Sequence, residues 1–569
     1  MQSSALPKPW LKFYPEGVPH EIEIPRESVQ SILIETVRKY SGSTALEYQG
    51  NKISYGKLNE LANQFANGLI SLGLEKGSKL AIILPNIPQF VICFWGALKA
   101  GLTIVPCNPL YREREIEFQL QDSEADAVVL LNNIYNQNDF YSSFEKAKPR
   151  LTKIKHVFVT SLTDYLPPVK KQLAGPVKKI QTLKKPDAIE LVSFLSRSSK
   201  KEPQAVSIIP EENVAVIQYT GGTTGTSKGA MLTHSNLVSN AFALKSWENS
   251  SSNDRLLGVT PFFHIYGLTV CMISPMLSGM EIVLLPSFHV REVLETISKN
   301  KITTFPGVAT MYIALINYPE LAKYSINSIR RCISGAAPLP LEVQKKFDKI
   351  TGGNLVEGYG LTEASPVTHC NPLGTGALVK SGSIGIPIPE TDAKIVDSET
   401  GTRDMSLGET GELAVKGPQV MKGYWNRPDE TANVMRDGWL LTGDIARMDE
   451  DGYFYIVDRK KDMIDASGFK VWPREVEEVL FTHPAIKEAA VVGVRDAYRG
   501  ETVKAFVVLK DKTKENPSAD EIREYCKTML APYKVPKIIE FRDELPKTLV
   551  GKILRRKLRE EGAATALSK

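Results

Sequence analysis

A chain of 569 residues with 42% apolar and 24% charged side chains is a multi-domain globular protein, and that composition excludes collagen-like, disulfide-scaffold and wholly disordered classes. The charge sum, 70 basic against 65 acidic residues for a net +5, is too small an excess for a nucleic-acid coat. Six cysteines (Cys93, Cys107, Cys271, Cys332, Cys370, Cys526) form no CxxC pair, which argues against a disulfide framework or a zinc site and for a reducing, cytoplasmic compartment.

The first residues, MQSSALPKPWLKFYPEG, lack the apolar centre of a signal peptide. Residues 28–40 have helical spacing. KLAIILPN (79–86) reads as a buried strand, FVICFWGALKAG (90–101) as a helix ended by Gly101, TIVPCNP (103–109) as a strand, REREIEFQLQDSEA as a polar-faced helix, and AVVLLN (127–132) as a strand. Strand–helix alternation with short Gly/Pro punctuation predicts βαβ units and parallel sheet. Between about 163 and 204 the pattern stops, in a Pro- and Lys-rich stretch. From Tyr165 to Glu202 it carries nine basic and three acidic residues. A solvated surface insertion is the expectation, with an anionic lipid surface as the alternative partner.

Alternation resumes with VAVIQYT, RLLGVTPFF, EIVLLP, TTFPGV and RRCISGAA as strands. The most apolar run, Ile265 to Pro286, is interrupted by Ser274, Pro275, Ser278, Gly279 and Glu281, so it is not read as a membrane span. From about 380 to 458 short β runs separated by Gly and Asp turns predict a small barrel or distorted sheet. DRKKD (458–462) is a polar junction, and beyond it lies a separate α+β segment. From Arg459 onward there are 24 basic and 18 acidic residues, so the basic excess sits in this last part.

The strongest chemical signal is IQYTGGTTGTSKGAMLTH (217–234). An apolar run feeds a loop with Gly221, Gly222, Gly225 and Gly229, whose backbone can converge on an anion. Thr220, Thr223, Thr224, Thr226 and Ser227 add hydroxyls, and Lys228 adds a point charge suited to phosphate. The spacing is not GxxxxGK[ST], so a phosphate loop of another type is expected.

With the motifs downstream, this loop resembles the AMP-forming adenylating enzymes, the superfamily of acyl-CoA synthetases, luciferases and peptide-synthetase adenylation domains. PFFHIYG (261–267), SGAAPL (334–339), EGYGLTEASP (357–366), GYWNRPDET (423–431), DGWLLTGDIARMDEDGYFYIVDRKKDMI (437–464), WPREVEE (472–478) and PKTLVGK (546–552) follow in order. Within that superfamily, VEGYGLTEASPVTH, KGPQVMKGYWN, RGETVKAFVVLK and LAPYKVPK are most similar to bacterial long-chain fatty acid–CoA ligases.

The resemblance implies an α/β fold: a large N-terminal domain (1–458) of two α/β subdomains and a β-barrel-like subdomain, a hinge at 459–461, and a small mobile α+β domain (462–569). It implies two half-reactions, in which a fatty acid carboxylate attacks ATP to give acyl-AMP and the thiol of coenzyme A then displaces AMP. Loop residues Thr220, Gly221, Gly222, Thr223, Thr224, Gly225, Ser227 and Lys228 would hold the outer phosphates. Glu363 with Thr220 would hold Mg²⁺, and Thr362 would contact the α-phosphate. Gly335, Ala336 and Ala337 would face adenine opposite Glu357, Gly358 and Tyr359. Asp444 and Arg459 would bind ribose. Lys552 would bridge carboxylate and nucleotide in the first half-reaction, Lys461 would be the hinge, and Gly468 would leave room for pantetheine. His264 would stand by the substrate carboxylate, and Gly307 and Ala309 along the acyl chain.

The resemblance has departures. Gly267 and Leu268 stand where some long-chain relatives carry a Trp gate, and Asp465 and Lys470 differ from residues seen elsewhere. A medium-chain or aryl ligase and a catalytically silent lipid-binding protein are the alternatives. The implied partners are fatty acid, ATP and coenzyme A with no nucleic acid, and peripheral membrane contact and a homodimer stay open.

Overall fold

A computed structural model describes residues 8–135, 138–175, 180–220, 227–374, 376–466, 469–496, 500–510, 516–548 and 553–566. The chain forms two compact units, one of Leu11–Asp392 with Lys416–Met435, the other of Met1–Trp10, Ala393–Val415 and Arg436–Lys569.

The larger unit is built on an eight-stranded sheet. Its parallel centre is Ala127–Leu131, Lys79–Ile83 and Thr103–Pro106, flanked by His156–Thr160 on one side and Val214–Thr220 on the other. These β-branched runs are buried on both faces, which is why they read as continuous apolar sequence. The crossover helix Pro88–Lys99 is buried along its whole length, starting at a proline that fits the first helical turn. Its one charge, Lys99, donates to Asn59 and Asn63 at 2.8 Å each and pairs with Glu202. Burial lowers this ammonium from its ordinary value.

The alternation predicts parallel sheet, but Val214–Thr220 and Lys228–Thr233 pair antiparallel. The glycine-rich loop therefore closes a hairpin, where a GxxxxGK[ST] loop would lead from strand to helix. The basic insertion is also less detached than its composition suggests. Ile189–Glu190 adds an edge strand beside His156–Thr160, and Leu191–Arg197 is a helix whose Phe194 packs on Phe158 with ring centroids 5.0 Å apart. A short apolar run hidden among Lys and Ser is enough to anchor it.

The apolar run near 265–286 folds as a short helix Ile265–Leu268, a π-helical turn Thr269–Ile273, a second short helix Ser274–Leu277 and the strand Glu281–Leu284. Among the described residues no helix is long and apolar enough to cross a membrane.

In the smaller unit the β-rich stretch forms a five-stranded sheet that includes Asp392–Val396, Gly411–Lys416, Trp439–Met448 and Phe454–Arg459. A 3-10 turn, Lys460–Asp462, leads to a second sheet centred on the long antiparallel pair Ile486–Asp496 and Gly500–Leu509. Helices Pro473–Thr482 and Ala519–Lys527 cover its apolar face through Val476, Leu480, Ile522 and Cys526.

Candidate active site

In the larger unit the ends of the glycine-rich hairpin are held together. Thr220 and Lys228 are directly paired, and the Ser227 hydroxyl donates to the Thr220 carbonyl. Gly229 is required by packing, since a Cβ there would lie 2.5 Å from Ile217 Cγ2. The Lys228 ammonium forms an ion pair with Glu430 and lies 5.1 Å from the centroid of the Tyr424 ring. Gly221, Gly222, Thr223, Thr224 and Gly225 lie outside the described residues.

Glu363 sits in a 3-10 turn, Thr362–Ala364, at the end of the strand Asn354–Gly360. The turn is tightly built. Ala364 N donates to Leu361 O at 2.9 Å, Leu361 N to Pro366 O at 3.0 Å, and Ser365 takes a left-handed φ of 68°. Asn240 clamps its exit, donating to Val367 O at 2.8 Å and accepting from Val367 N at 3.2 Å. The Glu363 side chain, half-buried, accepts from the Tyr424 hydroxyl at 2.7 Å, and its carbonyl accepts from Met421 N at 2.7 Å. Among the described residues no three His, Cys, Asp or Glu side chains gather into a metal site. A single carboxylate with hydroxyls nearby in sequence fits a hard cation that arrives with phosphates and keeps much of its water.

The strand Arg331–Ser334 runs parallel to Asn354–Gly360 and delivers Gly335, Ala336 and Ala337. Ala336 is exposed with φ 64°, a strained conformation of the kind found at ligand sites. A Cβ on Gly335 would lie 3.1 Å from the Tyr266 ring, which tethers this corner by donating to Ile333 O at 2.7 Å. Glu357 is buried, and its carboxylate accepts from Leu339 N at 3.1 Å. Its side chain thus ties the strand to the end of the 335–339 loop. A Gly358 Cβ would lie 2.8 Å from Ile333 Cγ2, and the half-buried Tyr359 ring meets His369 edge-on at 5.9 Å. His264 caps the helix Ile265–Leu268, with Nδ1 accepting from Tyr266 N at 3.2 Å.

In the smaller unit Asp444 and Arg459 are directly opposite on adjacent strands, and Arg459 Nε lies 2.6 Å from Asp444 Oδ1. The pair presents one fixed acceptor and one planar donor side by side. Lys461, in the turn that follows, has its ammonium lowered to about 8 by partial burial and then by the Arg459 charge, although much of the residue stays exposed. Next to it a buried ion cluster joins Arg555 to Glu477 at 2.6 Å and to Asp462 at 3.4 Å, with Arg559 on Asp462 at 2.6 Å. Lys552 and Gly468 lie outside the described residues.

The sequence reading passed over Tyr424, Glu430, Arg427 and Asp122. Gly423–Tyr424 is the edge strand next to the phosphate hairpin, paired with Ala230 and Met231. Arg427 donates to Asp122 at 2.7 Å, and Tyr219 donates to the same carboxylate at 2.6 Å. The motif GYWNRPDET was the signal, but nothing in its composition says that it pairs with the strand Lys228–Thr233 some 190 residues earlier.

The chain is similar to known proteins along nearly its whole length. The profile of the AMP-binding enzyme family matches residues 33–425, and that of the AMP-binding enzyme C-terminal domain matches residues 475–552. A long-chain-fatty-acid–CoA ligase of Bacillus subtilis (strain 168) is 47% identical over 97% of this chain and 98% of its own length. Among solved structures, the ATP-bound MatB of Rhodopseudomonas palustris superposes with a TM-score of 0.81 at 28% identity, covering 94% of this chain and 99% of its own. The anthranilate CoA ligase AuaEII in complex with anthranoyl-AMP superposes with a TM-score of 0.83 at 27% identity, over 96% of this chain and 99% of its own.

Proposed function

We propose that this chain, which belongs to the AMP-binding enzyme family, is a long-chain fatty acid–CoA ligase that converts fatty acid, ATP and coenzyme A into acyl-CoA, AMP and pyrophosphate through an acyl-adenylate. The observation that carries the reading is the meeting of Lys228 and Glu363 on one tyrosine, Tyr424, at the base of a glycine-rich hairpin. The long-chain substrate is supported by the near full-length B. subtilis relative of that name.

In the first half-reaction the substrate carboxylate displaces pyrophosphate from the α-phosphate, and negative charge moves onto the leaving oxygens. Lys228, with the backbone and hydroxyls of the 220–229 loop, receives that charge. Fixed donors do this without reorganising at the moment of reaction, which makes each worth roughly 3–4 kcal/mol in comparable sites. Glu363 and Thr220 would hold Mg²⁺, which when bound would neutralise phosphate charge. Thr362 orients the α-phosphate. The Gly335–Ala337 edge and Tyr359 receive adenine, and Asp444 with Arg459 receives the ribose hydroxyls. His264, whose Nδ1 accepts from Tyr266 N, would stand by the substrate carboxylate.

Lys552 completes the first half-reaction in this reading and must withdraw before the thiol attacks. Rotation of 462–569 about 459–461 would bring Gly468 to the pantetheine path. Hinged closure of this kind lets one set of residues serve two steps. The same reading keeps contact with anionic lipid at the basic segment, where Val169 is 68% and Leu173 50% exposed beside Lys170 and Lys171.

Pyrophosphate release measured across an acid panel with ATP, Mg²⁺ and coenzyme A tests the substrate. Palmitate and oleate should give the highest kcat/KM. A panel led by octanoate or coumarate would replace the long-chain assignment with a medium-chain or aryl one.

A further inference from the structure

We propose that Tyr424 is a positioning residue for the nucleotide phosphates and their cation: its hydroxyl orients Glu363 and its ring seats Lys228, so one side chain sets both charges used in the first half-reaction. This rests on the function proposed above.

The geometry is specific. The hydroxyl donates to Glu363 Oε1 at 2.7 Å, and the Lys228 ammonium lies 5.1 Å from the ring centroid, within cation–π range. Tyr424 is itself immobilised. It is 7% exposed, its backbone N–H donates to Thr431 Oγ1 at 2.9 Å, and Thr431 donates to Arg427 O at 2.9 Å. The next residue is pinned from both sides, with Trp425 N donating to Gly229 O at 2.8 Å and its indole N–H to Asp122 O at 3.0 Å. Three residues earlier, Met421 N holds the Glu363 carbonyl.

The strap 421–431 thus grips the Glu363 turn and the phosphate hairpin together. It also carries Glu430, which pairs with Lys228. Phosphates must displace Glu430 from Lys228, whereas Tyr424 can keep the ammonium over its ring throughout. A tyrosine serving only to pack the sheet edge would need no bond to Glu363, and phenylalanine would replace it fully.

The test is calorimetric binding of ATP, with and without Mg²⁺, to the full chain and to Tyr424→Phe. The hydrogen bond to a charged group predicts about a 10-fold or larger rise in Kd for Mg·ATP, with metal-free ATP changed by less than about 2-fold. A cooperative thermal transition should show that the variant is folded. Tyr424→Leu should in addition weaken metal-free ATP, because Lys228 loses its ring. Unchanged Mg·ATP binding in Tyr424→Phe would overturn the proposal, as would equal weakening with and without Mg²⁺. Failure of the unmodified protein to bind ATP at all would instead sink the function on which it rests.

Discussion

Gly360 shows how a single methyl group bears on the candidate site. A Cβ at this position would fall 2.0 Å from the carbonyl oxygen of Pro366, which is backbone and cannot rotate away. The turn that presents Glu363 closes across this contact. We expect Gly360→Ala to cost about 1–3 kcal/mol or more in urea unfolding and to disturb the turn, since overpacking against backbone forces a shift of the chain. Gly358→Ala, whose nearest Cβ contact would be the Ile333 methyl at 2.8 Å, should cost less. Equal costs would show that the turn tolerates displacement.

At this scale the sequence revealed residues that lie inside recognisable motifs: Lys228, Glu363, Asp444 and Arg459. It did not reveal their partners. Tyr424 and Glu363 are 61 residues apart, and a tyrosine in a GYW run reads as core. The buried carboxylate of Glu357, tied to Leu339 N, likewise cannot be told from an exposed one by spacing.

Among the elements, strands and helices with strong periodicity stand where the sequence places them, as Val29–Tyr40, Lys79–Ile83 and Pro88–Lys99 illustrate. The antiparallel pairing of the phosphate hairpin was not legible, because strand direction depends on tertiary neighbours and not on alternation. The helix Leu191–Arg197 was missed because four lysine pairs and several prolines outweigh its short apolar stripe. TTFPGV contributes only isolated bridges at Thr304 and Gly307. Its proline and glycine limit ladder pairing.

The helix His234–Glu248 carries a pH signature. His234 is 2% exposed, and its Nδ1 accepts from Val29 N at 3.1 Å, joining this helix to Val29–Tyr40. Burial lowers the imidazole from its ordinary 6.5 to about 4. The neutral form is required when folded, so the unfolded chain takes up the proton first as pH falls. The contribution is complete above pH 6.5 and is lost progressively down to about 4, up to roughly 3 kcal/mol. Glu248, which burial raises to about 7, acts in the opposite direction, so the comparison must be between proteins that share it. His234→Asn keeps an acceptor for Val29 N and removes the titration. The stability gap between the two proteins should therefore narrow or reverse from pH 7 to pH 4.5 in denaturant unfolding. A gap independent of pH would remove His234 from the account.

For the whole molecule, the net charge of +5 resolves into a nearly neutral first 458 residues and a basic remainder, which suits the phosphates of coenzyme A. The division into units is less simple than the sequence suggests. Residues Ala393–Val415 and Arg436–Asp458 belong to the same compact unit as the C-terminal segment, because the strand Phe454–Arg459 runs directly into the Lys460–Asp462 turn and its ion cluster.

The central claim is that the carboxylate is adenylated before coenzyme A takes part. Fatty acid-dependent exchange of labelled pyrophosphate into ATP, run without coenzyme A, measures that step alone. The account predicts exchange with a long-chain acid, its loss in Lys552→Ala, and near-normal thioester formation by Lys552→Ala from supplied acyl-AMP. Exchange that requires coenzyme A, or that persists undiminished in Lys552→Ala, would contradict it.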